Sequence, residues 1–198
     1  MFSNSRDILI GFLLVCVAAW GLMGTRGLRF ADRSVYDAQA SWLRTNKPTP
    51  LAKDVVVIGL DEAAYETIPE PTALWHVHFS TLLAGLSSAK PAVVGLAMPL
   101  PVRSYDFLIK DIDATLISGI YLLRSTAPLV VGQPLGVGNR LRPIAPELLE
   151  AIGKDAVASL AICEDTDGTV RRINQRRCRS EENQVPLALA MAKHLGRE

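Results

Sequence analysis

Two acidic residues, Asp61 and Glu62, follow the apolar run Val55-Val56-Val57-Ile58-Gly59-Leu60. The carboxyl end of a strand is where open α/β sheets hold ligands and ions, so a carboxylate at that place is the first candidate for binding chemistry. An Asp there serves equally well as the cap of a following helix. A metal or phosphotransfer centre would want a second carboxylate at the neighbouring strand end, where the chain has Ala97, and that argues against catalysis through Asp61. Trp75, His76 and His78 add ring and imidazole chemistry. Positions i and i+2 do not share a helix face, and no Cys or carboxylate lies at ligand spacing, so no metal centre is expected from them. Asp61, Glu62, Trp75 and His76 are therefore the candidate ligand-binding residues.

The remaining polar motifs have plainer readings. Glu164-Asp165-Thr166-Asp167-Gly168 has calcium-like lettering without the rest of a calcium loop, and Asp-Gly is a common hairpin turn. Arg171, Arg172, Arg176, Arg177 and Arg179 are the one basic concentration. Without aromatic platforms among them they suit an interaction patch, a charged sheet edge or a face near anionic lipid headgroups rather than nucleic acid. Gly132, Gly136 and Gly138 follow a strand, but neither a dinucleotide nor a P-loop spacing is present, so a surface loop is expected. No GxSxG, HExxH or reactive-cysteine pattern occurs, and Cys16, Cys163 and Cys178 lack zinc-site spacing. Cys163 and Cys178, on either side of a turn but not opposed, are not expected to pair. The expectation is a protein that is not an enzyme, with no cofactor, no catalytic residue and no metal.

Composition agrees. With 198 residues, 49% of them hydrophobic, the chain can bury a core, and 21 Lys+Arg against 20 Asp+Glu leave no field to attract a polyanion. No nucleic-acid partner is expected. The apolar residues are concentrated first in Ile8 to Gly24, an uncharged run that includes Ile8, Leu14 and Trp20. It is expected to be a retained membrane anchor over residues 1–24 rather than a cleaved signal. Arg26, Arg29 and Arg33 follow it while Arg6 precedes it, a balance that favours a cytoplasmic body.

Residues 25–50 read as a helical stalk and linker. Leu28, Val35, Ala38 and Trp42, with Ala31 and Gln39 between them, make one stripe at near-heptad spacing before the breaker-rich Thr45 to Pro50. From residue 51 to 198 short apolar runs alternate with amphipathic stretches. Residues 55–60, 92–96 and 128–131 are expected as parallel strands. Phe79, Leu82, Leu83 and Leu86, then Ile112, Leu116, Ile120 and Leu123, predict the intervening helices. A strand over 157–162, a turn and a return over 169–173 predict a hairpin, and 185–195 a closing helix. The expected fold is α/β: three layers, a mixed but mainly parallel sheet with covering helices and a C-terminal β-hairpin, on an N-terminal transmembrane helix.

An anchor, a stalk carrying Tyr36-Asp37, the strand VVVIGLDE, the helix FSTLLAGL, the strand AVVGLA, a helix containing Asp113, and the pair EDTDGTVRR and VPLALAMA occur here in that order. This order resembles the CHASE type 2 domain, the cyclase- and histidine-kinase-associated sensory extracellular domain family, over about Phe30 to Leu195. The resemblance implies an extracytoplasmic module of bacterial membrane receptors, with the body in the periplasm or outside the cell, opposite to the side the flanking charges favour. It departs from the family at Ala73 to His78, at Ala97, and in reaching Glu198 with no further span or output domain. The expected function is a non-catalytic accessory subunit of a larger bacterial inner-membrane complex, acting by protein–protein contact. The alternative is a ligand-sensing ectodomain whose transducer is a separate protein, with an unidentified small molecule as partner.

Overall fold

The computed structural model describes residues 5–23, 25–48, 54–162, 164–165, 167–171 and 185–196. They fall into two units, residues 1–60 and 61–198.

The first unit is helical. α1 (Ser5–Met23) carries the uncharged run, with the side chains of Ile8, Leu14 and Trp20 exposed. Among the described residues no helix is long and apolar enough to cross a membrane. α2 (Arg26–Asn46) starts at Thr25, whose Oγ1 accepts from the Leu28 N–H at 3.4 Å and so satisfies one of the unpaired amides of the first turn. Residues 55–60, expected as a buried strand, form no strand among the described residues, and Val56 is 84% and Val57 86% exposed. A Val/Ile run declares a demand for burial but not the neighbour that meets it, and a strand exists only where another strand completes its hydrogen bonds.

The second unit is a three-layer α/β sandwich. After α3 (Glu62–Thr67), α4 (His76–Ala89) leads into β1 (Val94–Leu96); α5 (Ile112–Arg124) leads into β2 (Leu129–Gln133); α6 (Pro146–Ile152) leads into β3 (Val157–Ser159); α7 (Leu187–His194) closes the described chain. The strands are parallel in the order β1-β2-β3, with Val94 opposite Leu129 and Val131 opposite Val157. Both expected helical stripes are present: Phe79 and Leu83 of α4, and Ile112, Leu116, Ile120 and Leu123 of α5, are buried.

Two expectations need correction. The strand at 157–162 is shorter and joins β2 in parallel through α6, a crossover rather than the start of a hairpin. Its turn does form, with Asp165 N–H donating to Thr169 O and Gly168 N–H to Asp165 O, but residues 169–171 make no return strand. Helix α6 was not among the expected elements, although Pro146 stands at its first position and Leu148, Ala151 and Ile152, all buried, share one face.

The two faces of the sheet divide the work. Leu129 and Val131, flanked by Val94, Leu96 and Val157, join the main core under α4, α5 and α6. The opposite face carries Gly95 and Gly132, where an added Cβ would meet the Met191 sulfur and the Leu160 side chain, so α7 and the segment after β3 lie directly on the backbone. On the first face α4 and α5 run side by side in the same direction: His76 meets Asp113 at their starts, and Ser87 Oγ donates to Leu122 O at their ends. Arg124 Nη1 donates to Ala151 O, bringing the end of α6 to the end of α5. The starts of all three helices therefore lie over the carboxyl ends of the strands.

Candidate functional site

The polar groups at that end of the sheet are built by the segment between β1 and α5. Asp106 N–H donates to Ser104 Oγ at 3.1 Å, and Asp106 Oδ1 accepts from the Asp113 N–H at 3.0 Å. The Asp106 side chain thus caps α5, whose first-turn amides lack partners of their own. Tyr105 N–H donates to Asp113 Oδ2 at 3.2 Å, so each segment satisfies a group of the other. This leaves Asp113 Oδ1, which stands 3.1 Å from His76 Nε2 at the start of α4.

His76 is 3% exposed and Asp113 5%. The two atoms are close enough to bond but are not aligned as a hydrogen bond, and neither has another partner among the described residues. Burial holds the imidazole below its ordinary value of 6.5, while the Asp113 and Asp106 carboxylates pull it back upward. The His76 ring also meets Tyr105 edge-on at 6.0 Å, and Tyr105 stacks on Phe107 at 6.2 Å.

A second polar group lies on the same face of the sheet. Gln133, the last residue of β2, is 0% exposed, and both atoms of its amide lack a hydrogen-bond partner among the described residues. Parallel register puts it in line with Leu129 and Val131, beside Ser159 of β3. Buried amides without partners are rare, and this one calls for an explanation.

A histidine backed by a carboxylate is the general-base half of a hydrolase, but it works only when a nucleophile and a substrate can reach it. With both members under one-tenth exposed, the pair here joins α4 to α5. No group of three His, Cys, Asp or Glu side chains among the described residues can hold a metal ion.

The residues expected from sequence have separate roles. Asp61 is not at a strand end: its Oδ1 accepts from the Ala64 N–H at 3.1 Å and caps α3, with Glu62 exposed in the first turn. Trp75 is a core residue whose Nε1–H donates to Glu70 O at 2.7 Å and whose ring lies 5.1 Å from Tyr65 and 6.2 Å from Phe79. His78 is surface-exposed, 3.6 Å from Glu70. Only His76 enters the polar cluster. Arg171 does not belong to an exposed patch, for its side chain is 6% exposed and reaches Asp165 at 3.1 Å and Asp167 at 2.8 Å. The hydrogen bond from Arg171 holds the Asp167 carboxyl well below the usual carboxylate range. Arg172, Arg176, Arg177 and Arg179, like Cys163 and Cys178, lie outside the described residues.

Sequence reasoning did not single out Asp106, Tyr105 or Gln133, and met Asp113 only as part of a pattern. One signal for Asp113 was available: it stands three residues before Leu116 and seven before Ile120, on the apolar stripe of its helix. A carboxylate on a buried stripe requires a partner.

The sequence pattern of the CHASE2 domain family matches residues 12–198. Neither a curated protein nor a solved structure gives a match.

Proposed function

We propose a non-catalytic receiving role for this chain, which belongs to the CHASE2 domain family. Membership brings the class, a sensory extracellular domain. The finer reading is an accessory subunit of a larger bacterial inner-membrane complex, membrane-anchored, with its body in the periplasm. The uncharged sequence Ile8 to Gly24 supports the tether.

The observation that carries the contact reading is the exposure of residues 55–60. Burying a Val, Leu or Ile side chain is worth about 1.5–3 kcal/mol. Val55, Val56, Val57 and Ile58 all stand in solvent. Leaving four such side chains there forgoes a sum comparable to the whole stability of a domain, about 5–15 kcal/mol. An exposed run of that kind supports the reading of a surface that a partner covers. Catalysis is not part of this reading: Asp61 is occupied as a helix cap, and the His76–Asp113 pair is buried.

The test is a photo-reactive side chain at Val57 in the full chain, cross-linked in its native membrane and followed by gentle solubilisation. A covalent adduct with a different membrane protein, lost when Val56 is changed to Asp, is the expected result. Recovery of the chain with no other protein attached overturns the reading.

Ligand sensing is the second reading, favoured by the unpartnered Gln133 amide. A ligand that binds only the folded state raises stability by about 2.7 kcal/mol at a hundredfold excess over Kd. Small molecules carrying both a donor and an acceptor should then raise the melting temperature of the wild-type chain and leave Gln133→Leu unmoved.

A further inference from the structure

We infer that α2 forms a parallel, in-register two-stranded coiled coil with α2 of a second copy of this chain. Leu28, Val35 and Trp42 recur every seven residues, with Ala31 and Ala38 three residues after the first two. At 3.6 residues per turn these five side chains fall within about a quarter of the helix circumference. The helix is continuous from Arg26 to Asn46, and all five residues are exposed. A strict seven-residue repeat drifts by about 20° per heptad on a straight helix, and that drift is absorbed when two helices supercoil.

The positions beside the seam fit a second copy. Ser34 and Ser41 on one side, Asp32 and Gln39 on the other, bring no like charges together when two identical helices lie in parallel. In-register pairing stacks layers of equal size, Leu28 on Leu28, Ala31 on Ala31, Val35 on Val35, Ala38 on Ala38 and Trp42 on Trp42. The alanine layers let the backbones approach while the Leu, Val and Trp layers fill the space. A seam of about two and a half heptads is marginal by itself. The parallel direction rests on the membrane tether proposed above, which presents every α2 from the same side and raises its local concentration.

The test uses the full chain in membranes, with Cys16, Cys163 and Cys178 replaced by Ser and single cysteines placed along α2. Oxidation should convert Leu28→Cys, Val35→Cys and Trp42→Cys largely into dimers of twice the chain mass. Phe30→Cys and Ala40→Cys, away from the seam, should stay at background, and adding Val35→Glu to Leu28→Cys should abolish the dimer. Equal cross-linking at seam and off-seam positions overturns the inference. So does cross-linking at Val35 alone, which is the pattern of antiparallel helices, or a product of any other mass, which puts a different chain on the seam. Failure of the Val57 experiment leaves the dimer standing, and failure of the dimer leaves the Val57 contact standing, so the two claims fail separately.

Discussion

His76 Nε2 lies 3.1 Å from Asp113 Oδ1, and this buried contact holds the start of α4 against the start of α5. Towards their other ends Ser87 Oγ donates to Leu122 O, and apolar side chains of both helices join the core between. The pair also anchors the segment before α5, because Asp113 Oδ2 accepts from the Tyr105 N–H. One carboxylate thus fixes a helix start, a neighbouring helix and a loop.

Asp113→Ala removes that carboxylate and leaves both the imidazole and the Tyr105 amide without it. Hydrogen bonds to charged groups are worth about 1.5–3 kcal/mol, and a buried donor left unmet adds to the loss. Urea unfolding of the body should show destabilisation in that range. Asp113→Asn, which keeps an acceptor for Tyr105, should lose less, and equal losses would remove Tyr105 from the account.

The pH dependence follows from the direction of the His76 shift. Its folded value is depressed below 6.5 by burial, so in the interval between the two values the unfolded chain binds the proton more readily. This histidine's contribution is fully present above about 6.5. It is lost progressively as pH falls through 6.5 towards the folded value, and levels off below that. Unfolding free energy measured from neutral to mildly acid pH should fall for the wild type, with a shallower slope for His76→Gln. Identical slopes would mean that other groups set the acid limb.

Much of this body is legible in the order of its residues, and the unread part has a common cause. The stripe Ile112, Leu116, Ile120 and Leu123 gives α5 because its period is local. The partner of Asp113 is unreadable because His76 lies a helix and a strand earlier, and only the tertiary fold brings the two together. Residues 55–60 fail in the opposite sense: the local pattern is a strand, yet strand formation depends on a neighbour that the pattern does not specify. Asp61 inherits that failure, since its expected place at a strand end vanishes with the strand and its capping chemistry remains. Arg171 shows the same limit for charge, because a basic cluster in sequence does not reveal that one member is turned onto Asp165 and Asp167.

Gln133→Met tests whether the buried amide is idle. An apolar side chain of similar length removes two polar atoms that have no partner, and such exchanges are neutral or stabilising. The expected result is an unchanged or raised melting temperature in the absence of added ligand. A loss of more than about 1 kcal/mol would show that the amide has a buried partner in solution, such as a bound water.

Gly119→Ala sets two effects of opposite sign against each other. Replacing a helical Gly by Ala gains about 0.8–1.0 kcal/mol of helix propensity. At Gly119, however, the new Cβ would lie 2.7 Å from Ser80 Cα and 2.7 Å from Ser80 Oγ, with the Ser80 carbonyl oxygen at 3.0 Å. The hydroxyl can rotate away, but the Cα belongs to the backbone of α4 and moves only if the two helices part. Overpacking of this kind costs about 1–3 kcal/mol, so the steric term is the larger. The variant should unfold at lower urea concentration than wild type, and because parting α4 from α5 also strains the His76–Asp113 contact, the slope of its stability against pH near 6.5 should change as well. Gly85→Ala on α4, where an added Cβ meets nothing within 4 Å, should show the propensity gain alone. If Gly119→Ala matched Gly85→Ala, the close approach of the two helices would not exist in solution.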